Sequence, residues 1–317
     1  MNGRLPPSRI RLAGRLANGF ALDLVKLGGW GRDVIDGLLL MAISQANIAP
    51  ITRSPELQLA YATLDAPPPD ELRRPVSVNA VATSLRIPFE TARRRIAALA
   101  ELGVLETSRK GVVLPQAPLN SPFYRAFAEA NCELVRRYYE RLDRLGFLTG
   151  LNRPDTSFTP GNPPLRLIMR LSSDYALRLA EPVSAYIGDL VTGMILMDVI
   201  QANTEHLPDD EGGGDDLSPQ SYLADDERRP VRPATLSERL GVPPETVRRH
   251  LNRLVSDGRC VAGEDGYVVP ARVLADGGFV EFILDNQTHM HRLFTGLAEF
   301  GVLSFWDAPR AGLRGAA

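Results

Sequence analysis

Residues 88–103 read PFETARRRIAALAELG, with apolar side chains at Ala92, Ile96 and Leu99. Steps of three and four put these on one face of a helix, the face that must pack on a core. Glu90, Arg94 and Ala97 fall opposite, and Arg93 flanks them. The pattern returns at 243–258, PPETVRRHLNRLVSDG. There Val247, Leu251 and Leu254 form the apolar stripe, Glu245, Arg249 and Asn252 lie opposite, and Arg248 and Arg253 flank that face. Each of these predicted helices, 89–102 and 244–257, follows a shorter one, VNAVATSLRI or PATLSERLGV. Each then leads into an alternating stretch that turns on a glycine, GVLETSRKGVVLP at Gly111 and RCVAGEDGYVVP at Gly266. That is the pattern of a small hairpin. A long apolar-faced helix opens each set, at about 31–47 and 187–203, and another closes it, at about 122–146 and 278–300.

These parallels are one internal repeat. Residues 73–115 align without a gap onto 228–270, a shift of 155 (228 − 73), and 15 of the 43 positions are identical. LLLMAISQAN (38–47) pairs with MILMDVIQAN (194–203), and PPSRIRL (6–12) with PPLRLIM (163–169). Phe127, Asn131, Leu142 and Gly146 match Phe282, Asn286, Leu297 and Gly301. The expected organisation is a first repeat over 1–147, a linker over 148–162 and a second repeat over 163–306, with a disordered tail over 307–317. Aromatic residues of the closing helices are expected to pack the repeats together: Phe123, Tyr124, Phe127, Tyr138 and Tyr139 against Phe279, Phe282, Phe294 and Phe300.

Helix, tight turn, helix and hairpin, over 75–115 and again over 230–270, is the plan of a winged helix-turn-helix. The second helix, with its Thr-Val-Arg core, its leucine at helical spacing and its glycine before the hairpin, carries a closer likeness. It resembles that of bacterial winged helix-turn-helix transcription regulators of the GntR-like, IclR-like and MarR-like classes. The resemblance covers about 40 residues of each repeat. It departs at the helix start, where Pro88 and Pro243 replace the usual Ser or Thr cap, and Phe89 and Pro244 take the first helical position.

The resemblance implies a fold that is mainly α with small β-hairpin wings, as two tandem winged helix-turn-helix units in an intrachain pseudo-dimer. It also implies recognition helices in the major groove of double-stranded DNA. Arg93, Arg94, Arg248 and Arg249 would then bind guanine edges or phosphate oxygens. Thr91 and Thr246 would touch phosphates, Glu90 and Glu245 would accept from cytosine, and Arg95, His250, Asn252 and Arg253 would stand beside them. Arg109 and Lys110 would place the first wing, 107–111, on the backbone or in the minor groove.

Net charge is −2, which does not advertise a nucleic-acid binder, but the charge is unevenly spread. Residues 72–115 hold eight basic and three acidic side chains, and 228–270 hold eight and five, whereas 204–227 hold nine acids and neither Lys nor Arg. Local basic patches matter more than the average, because phosphate neutralisation dominates DNA affinity. The hairpin tips disagree: Glu264 and Asp265 replace Arg109 and Lys110. Asymmetric engagement of DNA is therefore expected.

Other classes find little support. Cys132 and Cys260 make neither a disulfide framework nor a metal-ligand spacing, which suits a reducing compartment, so a cytoplasmic, nucleoid-associated protein is expected. His289 and His291 are two apart and point to different faces of a helix. Walker, dinucleotide-binding and nucleophile-elbow motifs are missing, so no cofactor and no enzymatic activity are expected. No apolar run suits a membrane span, and the Arg-rich N-terminal segment lacks the apolar core of a secretory signal. The expected partner is double-stranded DNA at two unequal half-sites, about one turn or ~34 Å apart. Further homodimerisation is left open. Two alternatives remain: a tandem winged-helix protein-interaction scaffold resembling the kleisin-binding subunits of bacterial condensins, and a ligand-gated regulator. The acidic segment favours the first, and the sequence shows no convergent polar set for the second.

Overall fold

Aspartates start the equivalent long helices of the two halves. Asp33 caps Val34–Asn47, its carboxylate accepting from the Ile35 and Asp36 amides at 3.0 Å. Asp189 caps Leu190–Thr204 through the Thr192 amide at 2.8 Å. Such caps satisfy N–H groups that have no partner within the helix. The computed structural model describes residues 6–29, 31–209 and 214–308. Of the tail expected to be disordered, Asp307 instead closes a helix (Val302–Asp307), and residues from 309 onward lie outside the described ones, as do Asp210 and Glu211 of the acidic segment.

The protein is mainly helical with two small antiparallel hairpins, as expected. The first half runs α1 (Pro7–Gly28), α2 (Val34–Asn47), α3 (Ala49–Thr52), α4 (Pro55–Ala60), α5 (Val78–Ser84), α6 (Phe89–Glu101), β1 (Glu106–Ser108), β2 (Gly111–Val113) and α7 (Pro122–Arg144). The second runs α8 (Leu165–Arg178), α9 (Ala180–Ile187), α10 (Leu190–Thr204), α11 (Pro233–Leu240), α12 (Pro244–Ser256), β3 (Val261–Gly263), β4 (Gly266–Val268), α13 (Ala271–Leu274), α14 (Gly277–Glu299) and α15 (Val302–Asp307). A shift of 155 (244 − 89) carries α6 onto α12, each hairpin strand onto its counterpart and α7 onto α14, end for end.

Helix α1 was not foreseen, and neither were α8 and α9. Apolar residues of α1 at Leu16, Phe20 and Leu24 are buried, and the helix packs on α2 and α7 of its own half and on α10 and α14 of the other. Helix α8 likewise lies against α2 and α7 as well as α14. The buried side chains of both halves therefore form one continuous hydrophobic cluster. Phe20 stacks on Tyr138 of α7 with ring centroids 4.0 Å apart and meets Tyr175 of α8 at 5.4 Å. Tyr138 and Tyr139 reach Phe294 of α14 at 5.8 and 6.0 Å, so part of the expected aromatic junction forms. Phe123 is 54% exposed. Arg153, in the segment between the halves, ion-pairs with Asp143 of α7 and with Asp307 of α15. No single helix among the described residues is long and apolar enough to cross a membrane.

One buried asparagine ties each hairpin to its long helix. Asn47, at the end of α2, donates to the carbonyls of Arg74 and Val112 at 2.8 and 3.1 Å and accepts from the Leu114 amide at 2.8 Å. Asn203, at the end of α10, does the same with Arg229, Tyr267 and Val269 at 2.7, 3.1 and 2.9 Å. The side-chain amides thus satisfy backbone groups that a two-stranded sheet leaves open.

The hairpins also fix their glycines. Gly111 and Gly266 hold φ at 128° and 140°, and a Cβ there would lie 2.5 Å from the Val76 and Val231 carbonyl oxygens. Gly266→Ala is expected to lower stability by about 2 kcal/mol, through backbone strain and displacement of Val231. Chemical denaturation checks this, and a loss near zero would contradict the close approach.

Candidate nucleic-acid interface

Helices α6 and α12 present matching faces. Ala92, Ile96 and Leu99 of α6, and Val247, Leu251 and Leu254 of α12, are buried as their spacing required. On the outward side Arg93, Arg94, Arg248 and Arg249 are exposed, as are Glu90, Glu245 and Asn252. Thr91 and Thr246 are half-buried. Both helices start on proline without a side-chain cap. The first turn offers a different contact: Arg93 ion-pairs with Glu90 at 2.9 Å, and Arg248 pairs with Glu245 in the same way. The hydrogen bond from Arg93 holds the Glu90 carboxyl below its ordinary pKa. Exposed pairs at this spacing are weak, so each guanidinium can leave its glutamate for a phosphate at little loss.

Three residues expected on this face are used elsewhere. Arg95 turns back to α2, with Nη1 donating to Asp33 at 2.6 Å and Asp36 at 2.8 Å. His250, at the equivalent position, places Nδ1 2.7 Å from the Thr192 hydroxyl of α10. Burial holds its pKa below the ordinary histidine value, so the ring is neutral at pH 7. Arg253 donates to the cap carboxylate of Asp189 at 2.6 Å. All three anchor their helices to the start of the neighbouring long helix, the arginines through charge-assisted bonds to its aspartates and His250 through the Thr192 hydroxyl, which itself donates to Asp189 at 2.6 Å.

That anchorage rests on four residues outside the expected face, Asp33, Asp36, Asp189 and Thr192. A signal was available, since Asp33 and Asp189 stand at the same place in the two repeats when LLLMAISQAN is laid on MILMDVIQAN. Asp33 does more than anchor α6. Gly241, in the turn before α12, approaches it so closely that a Cβ would lie 2.9 Å from the Asp33 Cα. One residue of the first half therefore touches the supports of both helices.

The hairpin tips carry opposite charge at the surface. Arg109 and Lys110 are exposed on the first, and Glu264 and Asp265 on the second. The described part of the acidic segment is tied to other helices. Arg11 and Arg15 of α1 donate to the carbonyls of Gly214, Asp216 and Pro208, and Arg141 of α7 pairs with Asp209. Among the described residues no group of His, Cys, Asp and Glu is placed to hold a metal ion. Cys260 is buried, which pushes its thiol pKa up to about 12. Comparison with protein-family models, with curated proteins and with solved structures returned no match.

Proposed function

We propose that this chain is a sequence-specific regulator of transcription that binds double-stranded DNA through two winged helix-turn-helix units, α5 to β2 and α11 to β4. The observation that carries this reading is the pair of exposed arginines at one position on both helices, Arg93 and Arg94 on α6, Arg248 and Arg249 on α12. Each pair stands opposite a buried stripe, on a helix that ends a tight turn. In a major groove these guanidiniums reach guanine edges or phosphates. Arg109 and Lys110 add a wing contact on the first unit. Glu264 and Asp265 repel DNA on the second, so its helix reads without its wing.

Selection from random duplexes, followed by titration of the winners against salt, tests this. A defined motif of two unlike half-sites is expected. Ala replacement of Arg93 and Arg94 together should weaken binding at least about tenfold and reduce the salt slope by about 1 to 2. Replacing Arg248 and Arg249 should relax only the second half-site. If no sequence is enriched and removal of the four arginines changes nothing, the reading fails, and the outward faces serve a protein partner instead.

A further inference from the structure

The second half contains a partly enclosed cavity of about 450 Å³ between α1, α10 and α14, roofed by described residues of 207–223. The 155-residue shift locates its counterpart in the first half, where only about 50 Å³ remains. The correspondence runs side chain by side chain. The two linings match α1 to α8 at the 155 shift, which corrects the pairing of PPSRIRL with PPLRLIM at 157 (163 − 6): Arg11, Gly14, Arg15 and Asn18 of α1 stand where α8 has Arg166, Met169, Arg170 and Ser173, and Phe279 stands where α7 has Tyr124. In the first half the space is filled. Arg166 and Arg170 are turned inward, 5% and 7% exposed. Arg166 lies 5.2 Å from the Tyr124 ring centre, and Arg170 donates to the carbonyls of Tyr61 and Gln58 at 2.8 and 2.7 Å. In the second half Gly14 lets α1 close on Ile283 of α14, which a Cβ there would meet at 2.9 Å, and Arg11 and Arg15 reach outward to the roof. One of two matched sites has closed and the other has stayed open.

The wall of the open site carries unspent hydrogen-bonding groups. Asn18, 7% exposed, donates to the Met197 carbonyl at 2.9 Å, and Asn286, 2% exposed, accepts from the Tyr175 hydroxyl at 2.9 Å. Among the described residues Asn18 Oδ1 and Asn286 Nδ2 have no partner. The side chain of Arg228 is fully buried, with Asp225 3.4 Å from its Nε. Its Nη2 donates to the Leu223 carbonyl at 2.8 Å, while Nε and Nη1 have no hydrogen-bond partner. The buried guanidinium nitrogens left this way are costly unless something supplies their bonds, and Nη1 and Nη2 of Arg73, at the matched place in the first half, are left likewise. The remaining wall is largely apolar, with Leu12, Ile200, Phe282 and Ile283, and Glu227 is the acidic residue described there.

We infer that this cavity binds a small apolar carboxylic acid, its hydrocarbon part against Leu12, Ile200, Phe282 and Ile283. Its carboxylate accepts from Arg228 Nη1 and Asn286 Nδ2. The volume suits a ligand of ordinary small-molecule size, and the pattern of an apolar wall with few placed polar groups is that of a ligand site. This inference does not depend on DNA binding.

Calorimetry and thermal shift on the full chain with decanoate and 2-naphthoate, against decanol and decyltrimethylammonium, test it. At least one of the two acids should bind with one molecule per chain and raise the melting temperature, with decanol weaker by about tenfold or more. Gly14→Met, which displaces the wall residue Ile283, and Leu274→Trp, from the opposite wall, should each abolish binding while keeping the wild-type circular dichroism. Arg228→Gln should erase the advantage of decanoate over decanol. If neither acid binds, or if both blocked variants fold and bind as the wild type does, the inference is overturned. Equal binding of acid, alcohol and amine overturns it as well.

Discussion

Replacing Phe20 by alanine is expected to remove about 3 to 5 kcal/mol of stability from the whole chain. The ring is 4% exposed. It stacks on Tyr138 of the first half at an interplanar angle of 15° and leans on Tyr175 of the second at 37°. Truncation leaves a cavity bounded by elements of both halves, which cannot collapse without moving α1 against two partners at once. The expected form of the result is as telling as its size. Because the halves share one core, urea unfolding of the variant should remain a single transition, shifted to lower midpoint with an unchanged slope. Two separated transitions would show that the halves fold independently, contrary to the packing of α1 and α8.

Asn203→Ala is expected to cost about 3 kcal/mol, from three net hydrogen bonds and the backbone groups then left unsatisfied. The loss should be local. Hydrogen exchange should quicken at the Val269 amide, which the Asn203 side chain protects at 2.9 Å, while the Leu114 amide keeps its protection from Asn47. Asn47→Ala should give the converse pattern. A variant that unfolds outright would be replaced by Asn203→Asp, which keeps the acceptor for Val269 and loses both donated bonds. Uniform exchange across both hairpins in either variant would sink this account, since each asparagine serves only its own half.

Much of this could be read along the chain. The stripes of α6 and α12, the glycine turns of the hairpins and the closing helices α7 and α14 all lie close to where periodicity placed them, because each has one buried face. Helix α1 escaped notice for a physical reason. Its Arg9-to-Arg15 stretch invites comparison with a targeting segment, and its apolar residues face several partners, which blurs a single stripe. Within the candidate interface, the outward arginines at 93, 94, 248 and 249 were legible from the helical wheel. The inward turn of Arg95 was not, because it depends on Asp33 and Asp36, some sixty residues earlier. The asymmetry of the two cavities was equally hidden. Gly14 against Met169 is one difference among many until the fold sets each on the wall of an equivalent space.

The position of α1 also has a consequence for synthesis on the ribosome. Its residues emerge well before those of α14, which begins 249 residues after α1 ends (277 − 28). At ordinary elongation rates that interval is roughly 12 to 50 s, during which the apolar surface of α1 lacks one of its main partners. The nascent first half therefore waits with an open seam. Two such chains growing on one messenger could exchange α1 at this seam before either is finished.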